Sequence, residues 1–190
     1  MKRMSNCSHE ENLKDASMLT TMLQKLNNLK YPTLAVIKGA AFGGGVGLIS
    51  CCDIALASEN SIFSLSEVKV GLIPATISPY VINAIGARNA RRLFTSGERF
   101  DSNIAKQINL VHEIAKEEDL EKRISYFINH FKKNGPQAVI AAKKIVLDIF
   151  NKEIDDSVIS HTCEVISALR TSKEGREGVT AFLEKRDPKW

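Results

Sequence analysis

The residues with the types and spacing to do chemistry lie in one stretch, "AVIKGAAFGGGVGLISCCDIALAS", from Ala35 to Ser58. Gly43, Gly44 and Gly45 separate two apolar runs, and Gly47 follows inside a helical segment. A strand, a glycine turn and a helix in that order suit a negative charge. Without side chains the backbone approaches a ligand closely. The first N–H groups of the helix have no internal partner, so they favour an anion or a developing oxyanion. Two nucleotide motifs fail. Walker A needs Lys-Ser/Thr after its second glycine, but Gly44 is followed by Gly45 and Val46; the dinucleotide fingerprint started at Gly43 meets Leu48 where it needs glycine. The same glycines also fit close helix–strand packing, and pattern alone leaves both readings open.

Other candidates are sparse. Glu67 in "SLSEVK", beside Lys69, reads by itself as a solvated carboxylate. His9, His112, His130 and His161 form no constellation. The four cysteines, Cys7, Cys51, Cys52 and Cys163, contain no C-x-x-C pair, so no metal site is expected. Cys51 and Cys52 sit in an apolar segment and read as core packing. The N-terminus has no apolar signal-peptide centre, so a reducing cytoplasm is the expected compartment.

These residues must be positioned by elements that the pattern outlines. Leu19, Met22, Leu23, Leu26 and Leu29 recur at helical spacing between Glu10 and Lys30, and Pro32 ends that helix. Thr33 to Lys38 reads as a buried strand, "GGGVGLISC" as a short helix, "DIALAS" and "SIFSL" as two more strands. "YVINAIGARNARRLFTSG" predicts two short helices divided near Gly86. Asp101 is an N-cap candidate, and "LVHEIA" a strand. Helical patterns then fill Glu117 to Lys133, Pro136 to Phe150, Asp155 to Arg170 and Lys173 to Lys185, with Pro136 in a first turn. The layout is βα units followed by a helical layer that could pack on another subunit.

Length and composition agree with this. The 190 residues suffice for a sizeable core, with 44% hydrophobic and 25% charged residues. No run of 18 apolar residues occurs, so no membrane span is expected. The net charge of +4 is mild, and basic residues are scattered among acidic ones with few aromatics, so nucleic acid is not an expected partner.

The segment "KGAAFGGGVGLISCCDIALASENSIFSLSEVKVGLIP" resembles the signature of the enoyl-CoA hydratase/isomerase (crotonase) superfamily. That signature is a strand, G-x-x-x-G-G-G, a helix ending in C-D, a strand, then F-x-x-x-E and G-x-x-P. "FGGGVGL", "CCDIA" and "GLIPATISPYV" are most similar to the methylglutaconyl-CoA or carboxygeranoyl-CoA hydratase branch. The resemblance implies an α/β crotonase-like (ClpP/crotonase) spiral of ββα units over residues 1–100 and a helical C-terminal trimerisation part over 101–190. It implies an acyl-CoA substrate, no cofactor beyond the CoA that the substrate carries, and a homotrimer or dimer of trimers.

The resemblance also assigns roles. The Gly44 N–H would hold the oxygen of a thioester enolate, and Glu67 would be the acid/base. A second glutamate of many hydratases would fall at position 47, where this chain has Gly47, which is expected to face the acyl pocket and leave room there. Ala40, Phe42, Gly43 and Pro74 are expected substrate contacts. "AFLEKR" matches a C-terminal F-x-E-K-R and assigns Lys185 to a CoA phosphate; the alternative is a solvated basic helix end. The family's second oxyanion donor belongs to an A-G-A-D loop leading into the helix that here starts at "MKRM". No A-G-A-D occurs in the 190 residues. The chain thus resembles a member incomplete at its N-terminus. The expectation is a hydratase acting on a branched or carboxylated enoyl-CoA. The alternatives are an isomerase using Glu67 alone and a non-catalytic remnant that binds CoA or oligomerises.

Overall fold

The computed structural model describes residues 7–190. The start at "MKRM" lies outside the described residues. Two compact units share the chain: residues up to Leu29 with Thr33–Glu121, and Lys30–Pro32 with Lys122–Trp190. The boundary expected between residues 100 and 101 falls inside a strand of the first unit, Arg99–Asp101.

The first unit opens with α1 (His9–Asn27). Ser8 and Glu11 form its capping box: Ser8 Oγ accepts from Glu11 N–H (3.2 Å), and Glu11 accepts from Ser8 N–H (2.7 Å). The chain then winds as a spiral that places one strand in each of two sheets per turn. β1 (Leu34–Ile37) enters one sheet and β2 (Ala40–Phe42) the other; α2 (Gly44–Ser50) returns the chain to β3 (Ile54–Ser58) beside β1, and β4 (Ile62–Ser64) lies beside β2. Both neighbouring pairs are parallel, with Leu34 opposite Ile54 and Phe42 opposite Ser64. A 3₁₀ turn (Glu67–Val70) and α3 (Ser78–Ser96) follow. β5 (Arg99–Asp101) pairs antiparallel with β4, and after α4 (Ser102–Gln107) β6 (Glu113–Ala115) adds to β3.

Local chemistry explains these positions. The Asp53 carboxylate accepts from Thr33 N–H (2.7 Å) and Oγ1 (2.8 Å), while Thr33 Oγ1 accepts from Asp53 N–H (3.0 Å). This fixes the register of β1 against β3 and accounts for the aspartate after the cysteine pair. Asp101 caps α4 by accepting from Ile104 N–H (2.9 Å). α3 is one helix broken at Gly86 (φ 75°, ψ 155°), as the expected division near that residue anticipates. The core joins Leu23 of α1, Val46 of α2, Ala57 of β3, Phe63 of β4 and Val81 of α3, all inaccessible. Phe63 stacks on Phe100 at 5.6 Å. Cys51 is buried there, which pushes its thiol up to about 11, so it is a packing residue.

The second unit contains α5 (Leu120–Lys133) from its third residue on, α6 (Pro136–Ile149), α7 (Asp156–Thr171) and α8 (Lys173–Leu183). Glu174 of α8 caps α6 by accepting from Gln137 N–H (2.9 Å) and Ala138 N–H (2.8 Å). The C-terminal segment folds back within this unit. Arg186 forks onto Glu177 (2.7 and 3.0 Å), Lys189 N–H donates to Glu177 (2.8 Å), and Trp190 Nε1–H donates to Lys133 O (3.3 Å). Among the described residues no helix is long and apolar enough to cross a membrane.

Candidate active site

β2 and β4 are parallel neighbours, so the segments leaving their C-terminal ends emerge side by side. The segment after β2 is the glycine turn, and the segment after β4 carries Glu67. In open α/β sheets this end of the strands is where ligands bind. Gly43 has φ 49° and ψ −113°, a backbone that side-chain-bearing residues rarely adopt. Its N–H donates to Ser64 O (2.9 Å), tying the turn to the end of β4. Gly44 begins α2, and its N–H has no partner among the described residues.

Glu67 opens the 3₁₀ turn, which Gly71 closes in the left-handed conformation (φ 74°). Glu67 O accepts from Leu72 N–H (3.1 Å), so the following loop is anchored to the glutamate. The side chain turns toward the glycines: a Cβ built on Gly43 would lie 2.7 Å from Glu67 Oε1. The other oxygen, Oε2, is buried and has no hydrogen-bond partner among the described residues. A buried carboxylate oxygen without a donor demands a reason, and a catalytic role is one. Glu67, far along the chain from the glycine turn, therefore stands against Gly43.

The remaining expected residues divide. Ala40 and Phe42 lie on the exposed face of β2, with the Arg99 guanidinium 5.5 Å from the Phe42 ring. Pro74 is buried in the loop after the 3₁₀ turn. That loop and α1 line an open groove of about 700 Å³, with Leu19, Val70, Leu72 and Ile73 beside Asn12 and Asp15. Lys185 belongs to the second unit, just past α8, with φ 54°.

Gly47 corrects the expectation. It is buried rather than open to an acyl pocket, and a Cβ there would overlap Ile77 Cγ2 and stand 2.7 Å from Ile77 Cβ. The room supposed to be vacated by a missing glutamate is filled by Ile77, itself 2% exposed. The packing reading of the glycines thus holds at Gly47, while Gly43 lies against the Glu67 side chain. Ile77 and the α1 lining residues escaped sequence reasoning because their importance lies in tertiary contacts that no local pattern records. The histidines have structural surroundings: His112 Nδ1 accepts from Ala55 N–H (3.0 Å), and His161 lies 3.2 Å from Asp148.

Comparison with known proteins identifies the family. Residues 1–190 match the enoyl-CoA hydratase/isomerase family. The fold superposes on the crystal structure of an enoyl-CoA hydratase from Shewanella pealeana with a TM-score of 0.95 and 43% identity, over 100% of this chain and 71% of that one. An enoyl-CoA hydratase of Alternaria alternata is 32% identical over 179 residues, 91% of this chain. A mitochondrial Delta(3,5)-Delta(2,4)-dienoyl-CoA isomerase of Dictyostelium discoideum is 32% identical over 168 residues, 87% of this chain. The chain spans 59% and 57% of the lengths of these two relatives, less than two thirds. Strand order, glycine turn and matched residues lead to one conclusion: the chain belongs to the enoyl-CoA hydratase/isomerase family and has its crotonase-like α/β fold.

Proposed function

We propose that the protein carries out acid–base chemistry on an unsaturated acyl-CoA, with hydration of the double bond as the first reading. The supporting observation is the Glu67 carboxylate packed against Gly43 with one oxygen buried and lacking a protein partner. The thioester oxygen would accept from Gly44 N–H, where negative charge develops as the enolate forms; one such donor contributes ~3 kcal/mol. Glu67 takes a proton from water as the water oxygen bonds to the β-carbon, then delivers that proton to the α-carbon. No metal or redox group is needed, and CoA enters only with the substrate. Branched or carboxylated acyl groups, as in the methylglutaconyl-CoA branch, are the proposed substrate class.

A second reading is favoured by Gly47 and Ile77. With one carboxylate in place, Glu67 can remove an α-proton from a 3-enoyl-CoA and return it to the γ-carbon, moving the double bond without water. The test offers crotonyl-CoA, 3-methylglutaconyl-CoA and a 3-enoyl-CoA to the wild type and to Glu67→Gln, with products separated by chromatography. The expected result is conversion by the wild type that falls ~100-fold or more in the variant, the usual size of general acid–base effects. Equal conversion by both proteins removes Glu67 from the mechanism.

A further inference from the structure

We infer that Ile77 sets the number of carboxylates in the proposed site: packed on Gly47, it holds an apolar wall where a second acid–base group on α2 would stand. The inference rests on Glu67 being the group at work. Gly47 N–H donates to Gly43 O (3.2 Å), so position 47 lies one helical turn beyond Gly43. Residues so spaced share a face, with Cβ atoms about 5–6 Å apart. Helical side chains lean back toward the N-terminus. A side chain at 47 would therefore project toward Gly43, the position against which Glu67 Oε1 is packed. A carboxylate there would converge with Glu67 and could share the handling of water. Ile77, at the N-terminal boundary of α3, occupies that direction instead.

The contact also dictates the smallest change that opens the space. A Cβ at 47 stands 2.7 Å from Ile77 Cβ as well as overlapping Cγ2. Ile77→Ala would leave the first conflict in place, so only glycine clears it. Positions 47 and 77 are thus linked: one must be glycine if the other bears a side chain. Such a pair makes a site with one proton-carrying group, in which the same carboxylate removes and returns the proton.

The test is a double-variant cycle with two readouts that need no substrate. Thermal melts compare wild type, Gly47→Glu, Ile77→Gly and the double variant. ¹³C NMR of glutamate-labelled protein then follows the side-chain carboxyl signals across the acid range. Gly47→Glu alone is expected to melt well below wild type or not to fold, and adding Ile77→Gly to recover several degrees or the fold itself. In the double variant the Glu67 signal is expected to follow two coupled proton-binding steps. If neither glutamate variant folds, the cycle of Gly47→Ala with Ile77→Gly decides by the same melting criterion. A double variant no more stable than its position-47 single variant overturns the inference, as does a new glutamate that leaves the Glu67 signal unchanged. Inactivity toward every thioester would instead count against the proposed function and leave these readouts intact.

Discussion

A Cβ added at Gly44 meets nothing within 4 Å, one at Gly43 meets Glu67 Oε1 at 2.7 Å, and one at Gly47 overlaps Ile77. These three glycines therefore respond differently to the same substitution. Gly47→Ala forces the core apart and should cost about 1–3 kcal/mol, the usual penalty of overpacking; a thermal melt within a degree of wild type would contradict the contact. Gly44→Ala has free space and a helical position, so its melting temperature should hold or rise. Gly43→Ala combines a positive φ (49°) with displacement of the carboxylate. Its turnover should fall ~100-fold, the effect of misplacing a reacting group by about 1 Å, and a kinetic assay beside Gly44→Ala checks it. The sequence presents these glycines alike. Only Gly43 needs its unusual backbone, and only Gly47 needs to be small because of a residue far along the chain.

At the scale of elements, the fold was legible wherever local chemistry decides it. The capping aspartate of α4, Pro136 in the first turn of α6 and the kink at Gly86 are each written in one or two residues. β2 and β5 were not legible in the local pattern, because pairing with β4 defines both. The 3₁₀ turn that aims Glu67 has the same origin, since the end of β4 delivers it to the glycine turn. Glu67 itself stood out by family resemblance rather than by pattern. The C-terminal segment offers an element-scale prediction. Arg186 first, then Lys189 N–H, hold the Glu177 carboxyl down at about 2 from its ordinary 4.5. The tie is complete above pH 4.5, weakens as pH falls and is lost on passing through about 2. Trp190, the sole tryptophan, is tied to Lys133 O and reports the change. Its emission should shift to the red over that window. Glu177→Gln should show the shifted emission already at neutral pH, and a variant profile identical to wild type would contradict the link.

For the whole molecule, the chain covers only part of the length of the two sequence relatives above. The second unit leaves Ile154 (82%), Phe182 (82%) and Leu183 (74%) exposed. Apolar surface of this kind marks interaction sites, and we propose that it is covered in a trimer or a pair of trimers. Sedimentation should show a concentration-dependent species larger than 21.0 kDa, and a monomer at all concentrations would contradict this.

The central claim is that Gly44 and Glu67 together move a proton at the carbon beside a thioester. Deuterium uptake at the α-carbon of an acyl-CoA in D₂O reads that step directly, and long incubation makes slow exchange measurable. Mass spectrometry should find steady incorporation with the wild type and a rate ~100-fold or more lower with Glu67→Gln, as expected on losing a general acid–base group. Incorporation at the same rate in both proteins, or at the uncatalysed rate with the wild type, would contradict the account.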